Sequence, residues 1–531
     1  MLKKSLYFAL GTLLSRMFGL VRESVIAGVF GATRSLDAFF IAFRLPNLLR
    51  ELLAEGALGS SFTKVFSELW EQDRQRAIRL LHDALWCFSL LAAVMILTGI
   101  IAAPWLVESL TMMADGGIRG PFYQQCVSLT RLMFPFIGFM MLGSIVSGVL
   151  HQSGRFFYSA ISPILLNLGF LCGALLFAGF LDSYAPLWVE QVFVDKKIAG
   201  LALGALLGGA LQLSGQALGI WRRFLLPYAA VPRHMPWSKD LAKVLRLMGP
   251  MMIAGSAAQV NILVNTNFAT SLEAGAVTWL TFAFRLVQLP IGLFAVGIGA
   301  VALPSLTRAA VRRQESGTSS ELATELLRSI EWMLWLILPC LGFLLLNSPQ
   351  IIVLLYQHGA FDQSAAEATA VALYYYSFGL VGYGLIKVLN SYYYAIGQTR
   401  YPMVLGLVGI GVNFALNSLL VLRYGHRGLA MTSSLVLLCN GCLLLVGIRK
   451  IDLLRHSRSL LGWFIGLALA FALCCGGQEL AALYSARLVD TTAWAPKFVA
   501  LWSLGVSGLV VGLCFGPLAL VRYFSYRKSL A

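Results

Sequence analysis

The sequence predicts an all-α polytopic membrane protein with about 14 transmembrane helices: two six-helix parallel-repeat lobes plus two extra C-terminal helices. Three observations lead to this prediction. Hydrophobic residues make up 58% of the 531 positions and charged residues 12%, about half the charged share of a soluble chain. Apolar stretches long enough to cross a bilayer recur throughout the chain, and short motifs recur at a nearly constant offset. This composition excludes a soluble globular enzyme.

The candidate spans follow one another with short polar breaks, and each is close to the roughly 20 residues needed to cross a bilayer. They cover approximately residues 5–30, 37–63, 83–110, 125–150, 157–181, 199–221, 247–272, 276–303, 329–347, 366–396, 401–422, 428–447, 459–481 and 498–521. Lys and Arg are concentrated in the loops on the same side as the N-terminus. The positive-inside rule therefore predicts that both termini are cytoplasmic.

The recurring motifs predict that the chain contains two copies of one bundle. Ala42-Phe-Arg-Leu45 recurs as Ala283-Phe-Arg-Leu286, and Ser61-Phe-Thr-Lys64 resembles Ser305-Leu-Thr-Arg308 at almost the same offset. Six spans separate the two copies, so equivalent helices run in the same direction. We expect an N-terminal lobe at 1–222, a C-terminal lobe at 223–450, and two additional helices at 451–531.

The net charge of +16 does not indicate nucleic-acid binding, because basic residues of a polytopic protein ordinarily lie in its cytoplasmic loops. We expect no nucleic-acid partner. Cys439 and Cys442 form a C-x-x-C pair inside an apolar stretch, where a thiol behaves as a small hydrophobic group. No cofactor or metal is predicted.

Basic residues inside the apolar spans are the strongest indication of function. A charge at the centre of a membrane helix costs about 2.5–3.5 kcal/mol on insertion scales, so each one needs a reason. A single arginine of this kind can snorkel to the interface or form a structural ion pair. Seven basic residues lie within spans: Arg16, Arg22, Arg44, Arg50, Arg131, Arg285 and Lys387.

The pattern in the first span favours a shared interior over snorkelling. At 100° per residue, Arg16, Arg22 and Glu23 lie on one stripe about 140° wide, and neither arginine is near a helix end. The same stripe holds Gly11, Thr12, Ser15 and Gly19. Further polar stripes carry Asp37, Arg44, Glu51 and Glu55 in the second span, and Thr278, Thr281, Arg285 and Gln288 in the eighth.

Polar stripes on several helices are stable only around protein or a water-filled cavity. The excess of basic groups predicts a cationic cavity, and arginine suits phosphate oxygens. The sequence therefore predicts a transporter of an anionic, phosphorylated substrate. The histidines are scattered over loops on both sides, so an enzyme acting on phospholipids is not favoured. No filter loop of a channel is visible.

Four motifs in the first two spans are specific: Leu14-Ser-Arg-Met-Phe-Gly-Leu-Val-Arg-Glu23, Asp37-Ala-Phe-Phe40, Arg44-Leu-Pro-Asn-Leu-Leu-Arg50 and Ala54-Glu-Gly-Ala57. They resemble the MurJ (MviN) family, the lipid II flippases of peptidoglycan synthesis. The resemblance implies a member of the MOP exporter superfamily in the bacterial inner membrane that moves lipid II by alternating access through a central cationic cavity. It implies a lipid-tail groove in the last two helices. Membrane lipids and the cell-wall synthesis machinery are further partners that the resemblance implies.

The resemblance also implies residue roles. Arg16, Arg22 and Arg285 are expected to contact the diphosphate and sugar head group, and Ser15 and Lys387 match other substrate-binding positions. Gating or interlobe roles are expected for Asp37, Arg50, Glu55 and Glu23. The chain departs from the family at Phe284 and Gln288, where acids are common, so its cavity is expected to be more positive.

Three alternatives stay open on the sequence alone. The first is a flippase for another polyprenyl-diphosphate-linked oligosaccharide of the O-antigen type. The second is a multidrug antiporter of the same superfamily. The third is a scaffold for the cell-wall machinery that transports nothing.

Overall fold

The computed structural model describes residues 2–112, 120–221, 224, 238–316, 320–448, 469–474, 476–477 and 496–530. These residues are almost all helical, and no β-strand occurs among them. The all-α prediction is therefore confirmed.

The helices up to residue 220 follow each other with short connections. They are α1 (Leu2–Phe30), α2 (Arg34–Leu49), α3 (Gly59–Gln72), α4 (Arg74–Thr111), α5 (Pro121–Met133), α6 (Phe136–Gln152), α7 (Phe156–Cys172), α8 (Ala178–Tyr184), α9 (Leu187–Val192) and α10 (Lys196–Ile220). The remaining helices are α11 (Lys239–Thr270), α12 (Ala276–Pro290), α13 (Val296–Ser316), α14 (Ser320–Leu355), α15 (Gln363–Ala395), α16 (Arg400–Tyr424), α17 (His426–Val446) and α18 (Pro496–Leu530).

Ten helices or helix pairs within the described residues are long and apolar enough to cross a membrane. The chain is therefore a polytopic membrane protein, as predicted. Helices α1, α2 with α3, and α11 are not among the ten, although they coincide with candidate spans. These helices carry the polar residues that lower mean hydropathy. The candidate span at 459–481 lies mostly outside the described residues, so a count of fourteen is consistent with the structure.

The chain divides into two compact units. The first contains Met1–Thr278 with Gly359–Phe361, and the second contains Trp279–His358 with Asp362–Ala531. Helix α11 packs against α3 and α4 in the first unit. The lobe boundaries expected from the motif offset stay a prediction.

Two of the π-helical segments among the described residues occur at corresponding places in the chain, and a further one covers Gly173–Phe177. One covers Arg50–Leu58 after α2, and the other covers Ile291–Ala295 after α12. Their first residues are 241 residues apart, which is the offset of the recurring motifs. Proline lies at or just before the end of each preceding helix, at Pro46 and Pro290. Proline lacks an N–H and its ring crowds the preceding turn, so the helix widens there.

Helices α7 and α10 approach closely along a line of glycines. A Cβ built on Gly169 would lie 2.2 Å from the Cα of Gly208, and one built on Gly204 would lie 2.5 Å from the Cα of Gly173. Small residues four apart let helix backbones meet, which is how membrane helices gain packing energy without a hydrophobic driving force. This contact holds α7 in place beside α1, the helix that carries the first predicted site residues.

Candidate functional site

Arg22 is held inside the first unit by groups from two helices. Its guanidinium forms an ion pair with Glu23, and its Nη1 donates to Asn167 Oδ1 at 3.0 Å. The guanidinium carbon also lies 4.8 Å from the centre of the Phe170 ring. The side chain of Arg22 is 14% exposed and that of Glu23 is 4% exposed. The cost of burying this cation is reduced by an adjacent carboxylate and an aromatic face.

Asn167 is a site residue that the sequence prediction missed. Its Nδ2 donates to the backbone carbonyl of Ser15 at 3.3 Å, while its Oδ1 accepts from Arg22. The amide therefore joins α7 to α1 on the polar stripe. Its signal in the sequence was an amide inside a long apolar span. Another amide inside an apolar span, Asn413, is buried in α16, and its Oδ1 accepts from Asn417 Nδ2 at 2.6 Å.

Ser15 and Arg16 lie one and a half turns or more before Arg22 on α1, and both side chains are partly buried. The Ser15 contact with Asn167 uses the backbone carbonyl. Arg16 lies about 120° around the helix from Arg22, within the polar stripe that the sequence predicts for α1.

Arg50 begins the first π-helical segment and takes part in a polar network. Its Nε donates to Asn47 Oδ1 at 3.1 Å, and its Nη2 lies 3.7 Å from Glu51 Oε1. Glu51 also accepts from Asn47 Nδ2 at 2.8 Å and from Gln259 Nε2 of α11 at 3.0 Å. The widened turn thus brings Arg50 beside a carboxylate that links α11 to this segment. Glu55 lies in the same segment, and its side chain is outside the described residues.

Asp37 is completely buried and connects α2 to the start of α12. Its carboxylate accepts from the backbone N–H of Gly275 at 2.7 Å. It also accepts from the N–H and the hydroxyl of Thr278, at 2.8 and 2.7 Å. One turn earlier, Arg34 Nη1 donates to the carbonyl of Leu272 at 3.3 Å. A carboxylate at a helix N-terminus satisfies unpaired N–H groups and complements the helix dipole.

Arg285 lies in the second unit on the exposed side of α12, together with Gln288. The opposite side of this helix is buried and includes Ala283 and Val287. Phe282, between the two sides, is also buried, and its ring centroid lies 4.8 Å from that of Tyr356. Packing therefore leaves the arginine on the polar stripe that the sequence predicted.

Lys387 lies on α15 of the second unit and is partly buried. Its ammonium is 5.3 Å from the centre of the Tyr383 ring. Within the described part of the chain it pairs with no carboxylate. Its Cβ would lie 3.6 Å from a Cβ built on Gly299, so α13 comes close to α15 at this residue.

The structure thus brings together Arg22 and Glu23 with Asn167, and separately Arg50 with Glu51. Ser15, Arg16, Asp37 and Glu55 belong to the same unit, whereas Arg285 and Lys387 belong to the other. Convergence of the basic groups of both units on one cavity stays a prediction.

Comparison with known proteins identifies the family. The family described as "Lipid II flippase MurJ" matches residues 26–505. The chain belongs to the MurJ family. The lipid II flippase MurJ of Burkholderia cenocepacia is 33% identical over 88% of this chain and 87% of its own length. The probable lipid II flippase MurJ of Vibrio cholerae is 30% identical over 96% of this chain and 93% of its own.

Solved structures share the fold of this MurJ family member. A lipid II flippase MurJ in an inward closed conformation superposes with a TM-score of 0.73 at 22% identity, covering 99% of both chains. An inward-facing multidrug resistance MATE transporter of the MOP superfamily gives a TM-score of 0.66 at 17% identity, covering 84% of this chain and 96% of its own. This chain therefore shares its fold with both of these transporters.

Proposed function

We propose that the chain moves lipid II from the cytoplasmic to the periplasmic leaflet of the bacterial inner membrane, with both termini in the cytoplasm. The curated relatives named as lipid II flippases align over nearly their whole length, which supports this substrate. The observation that carries the proposal is the position of Arg22: a nearly buried guanidinium, oriented by Asn167, within a transmembrane bundle.

In this proposal, the carboxylate of Glu23 supplies the negative charge beside Arg22 when no substrate is bound. A buried arginine without a counter-charge would be strongly unfavourable, so the carboxylate stabilises Arg22 while no diphosphate is present. Phosphate oxygens can accept several guanidinium hydrogen bonds at once. Binding of a diphosphate near Arg22 would then compete with, or add to, the contact from Glu23. Arg16, Arg285 and Lys387 would supply the remaining positive charge.

The transport step is alternating access. The predicted topology places the start of α2 and the start of α12 on the periplasmic side. The contact of Asp37 with Gly275 and Thr278 would then close that side while the head group enters from the cytoplasm. Release of this contact would open the periplasmic side. The chain acts as a transporter in this proposal and catalyses no bond cleavage, and the cell-wall synthesis machinery is its expected neighbour.

Depletion of the protein in its own host tests the proposal. We expect lipid II to accumulate in the inner leaflet, measured by its accessibility to a periplasmic modifying enzyme in spheroplasts. Restoration by the wild-type gene, and failure of an Arg285→Ala variant to restore, would support the role. Unchanged lipid II distribution with accumulation of a different polyprenyl-diphosphate oligosaccharide would contradict it.

A further inference from the structure

A polar cavity of about 650 Å³ lies within the first unit, between α3, α6, α7 and α10. Its polar lining consists of five serines, one threonine, two glutamines, His151 and Lys64, and no aspartate or glutamate lines it among the described residues. This is a set of mostly neutral donors and acceptors. Its volume falls within the range of about 300–1,000 Å³ that is usual for small-ligand sites.

Hydrogen bonds between the lining residues fix several of these side chains. The hydroxyl of Ser159 lies 2.9 Å from His151 Nε2 and 3.0 Å from the hydroxyl of Ser147. Gln216 Nε2 donates to the hydroxyl of Ser162 at 2.9 Å. The wall is therefore preorganised by contacts between α6, α7 and α10, which lowers the entropy cost of binding a ligand.

Two amide oxygens in this wall have unused hydrogen-bonding capacity. Gln212 Oε1 and Gln216 Oε1 are buried and accept no hydrogen bond from the residues that the structure describes. Gln216 is 4% exposed. A Cβ built on Gly143 would lie 2.9 Å from Gln216 Oε1, so the glycine leaves room beside that oxygen. Burial of an acceptor without a donor is unfavourable, so these oxygens favour a ligand or water that donates a hydrogen bond.

The cavity lies next to the Arg22 site along α7. Ser159, Pro163 and Asn167 follow each other at four-residue spacing, on one face of the helix. Pro163 lines the cavity and Asn167 binds Arg22, and four residues correspond to about 6 Å along the helix axis. One ligand can therefore contact Arg22 with its phosphates and reach the cavity with the next part of its head group.

We propose that this cavity binds the uncharged part of the head group, by accepting from its sugar hydroxyls and amide N–H groups. The inference rests on the proposed function and assigns a part of the same substrate to these residues. Hydroxyl and amide side chains match such groups because each can both donate and accept. A phosphate is a poorer match, since Lys64 is exposed at the edge of the cavity and the two free oxygens are acceptors.

Binding to two ligands by the full-length protein in lipid nanodiscs tests the proposal. One ligand is the complete polyprenyl-diphosphate disaccharide-pentapeptide, and the other is polyprenyl diphosphate without sugars. For Gln216→Leu we expect affinity for the complete ligand to fall tenfold or more, with less than a twofold change for the bare diphosphate. Gln212→Leu, one turn earlier on α10, gives a second test if Gln216→Leu does not fold. Gln124→Leu, on the exposed side of α5, is the matched control and should change neither affinity.

Each result has a defined meaning. A fall in affinity for the complete ligand alone, in either variant, supports the subsite. Equal weakening of both ligands, or no change with either, overturns it, since the cavity would then be structural or merely hydrated. A fall in affinity for the bare diphosphate alone would place phosphate in the cavity and would also overturn the proposal. Wild-type protein that binds neither ligand contradicts the proposed function itself, and the subsite with it.

Discussion

Asp37 and Thr278 occupy equivalent positions of the two sequence repeats and are hydrogen-bonded to each other. The residues are 241 apart, and the carboxylate of Asp37 accepts from both the N–H and the hydroxyl of Thr278. The repeat-related helices α2 and α12 are thus joined at their first turns. An acid in one copy serves as the N-terminal cap of the other.

Asp37→Asn is expected to weaken this contact. An asparagine presents one acceptor oxygen, so at least one donor among Gly275 and Thr278 loses its partner. Hydrogen bonds to a charged group contribute about 1.5–3 kcal/mol, and we expect a loss of that order in the free energy of unfolding. Thermal unfolding in detergent measures it. Asp182→Asn removes an exposed carboxylate paired with Lys197 and should have little effect. Equal melting temperatures for all three proteins would contradict the capping role.

Arg22→Ala is expected to abolish support of growth and also to destabilise the fold. The single change breaks the buried ion pair between Arg22 and Glu23, and breaking such a pair costs about 3–5 kcal/mol. The double variant Arg22→Ala/Glu23→Ala removes both charges and should recover much of the stability but none of the transport. Growth complementation and monodispersity after extraction separate the two effects. A double variant that supports normal growth would make Arg22 a structural residue.

Arg285→Ala is expected to abolish function without a large loss of stability, because the side chain lies on the exposed side of α12. Arg285→Lys should also be impaired, since an ammonium cannot make the same two-pronged contact with phosphate. Complementation and membrane abundance are measured for both variants. Arg423→Ala changes another exposed arginine, at the end of α16, and should behave as wild type. Full activity of Arg285→Ala would remove it from the substrate site.

Collapse of the membrane potential is expected to slow transport in reconstituted vesicles. One elementary charge crossing 100 mV gains or loses about 2.3 kcal/mol, so an inside-negative potential would favour return of an empty cationic site toward the cytoplasm. The rate at which the lipid II head group becomes exposed on the opposite side of the membrane is measured with and without an ionophore that collapses the potential. A rate that does not depend on the potential would exclude this coupling.

Gly204→Ala is expected to separate α7 from α10. The added Cβ would lie 2.5 Å from the Cα of Gly173, and backbone cannot move aside cheaply. Overpacking typically costs about 1–3 kcal/mol, and we expect a corresponding fall in stability with reduced transport. Gly411→Ala on α16 meets no atom within 4 Å and should be neutral or slightly stabilising. The reverse order of stabilities would contradict the close contact.

The sequence was sufficient to predict the polar stripe on α1 and the exposed face of α12 around Arg285, because both features depend on helical periodicity. It was not sufficient for the partner of Arg22. Asn167 is 145 residues away, and its role depends on how closely α7 packs against α1. The polar network of Arg50 also needed coordinates, since a regular helix would have directed Arg50 and Glu51 about 100° apart.

The amino-acid sequence by itself determined that this chain is an all-α membrane protein with arginines on polar helix faces. Hydropathy and a 3.6-residue period are local properties, and the cost of a charge in lipid restricts where such faces can point. Only the tertiary structure decided which distant groups meet them: Asn167 and Glu23 at Arg22, Thr278 at Asp37, and Gln216 beside the polar cavity. Those pairings depend on glycine contacts, widened helical turns and side-chain packing, which act between segments far apart in the chain.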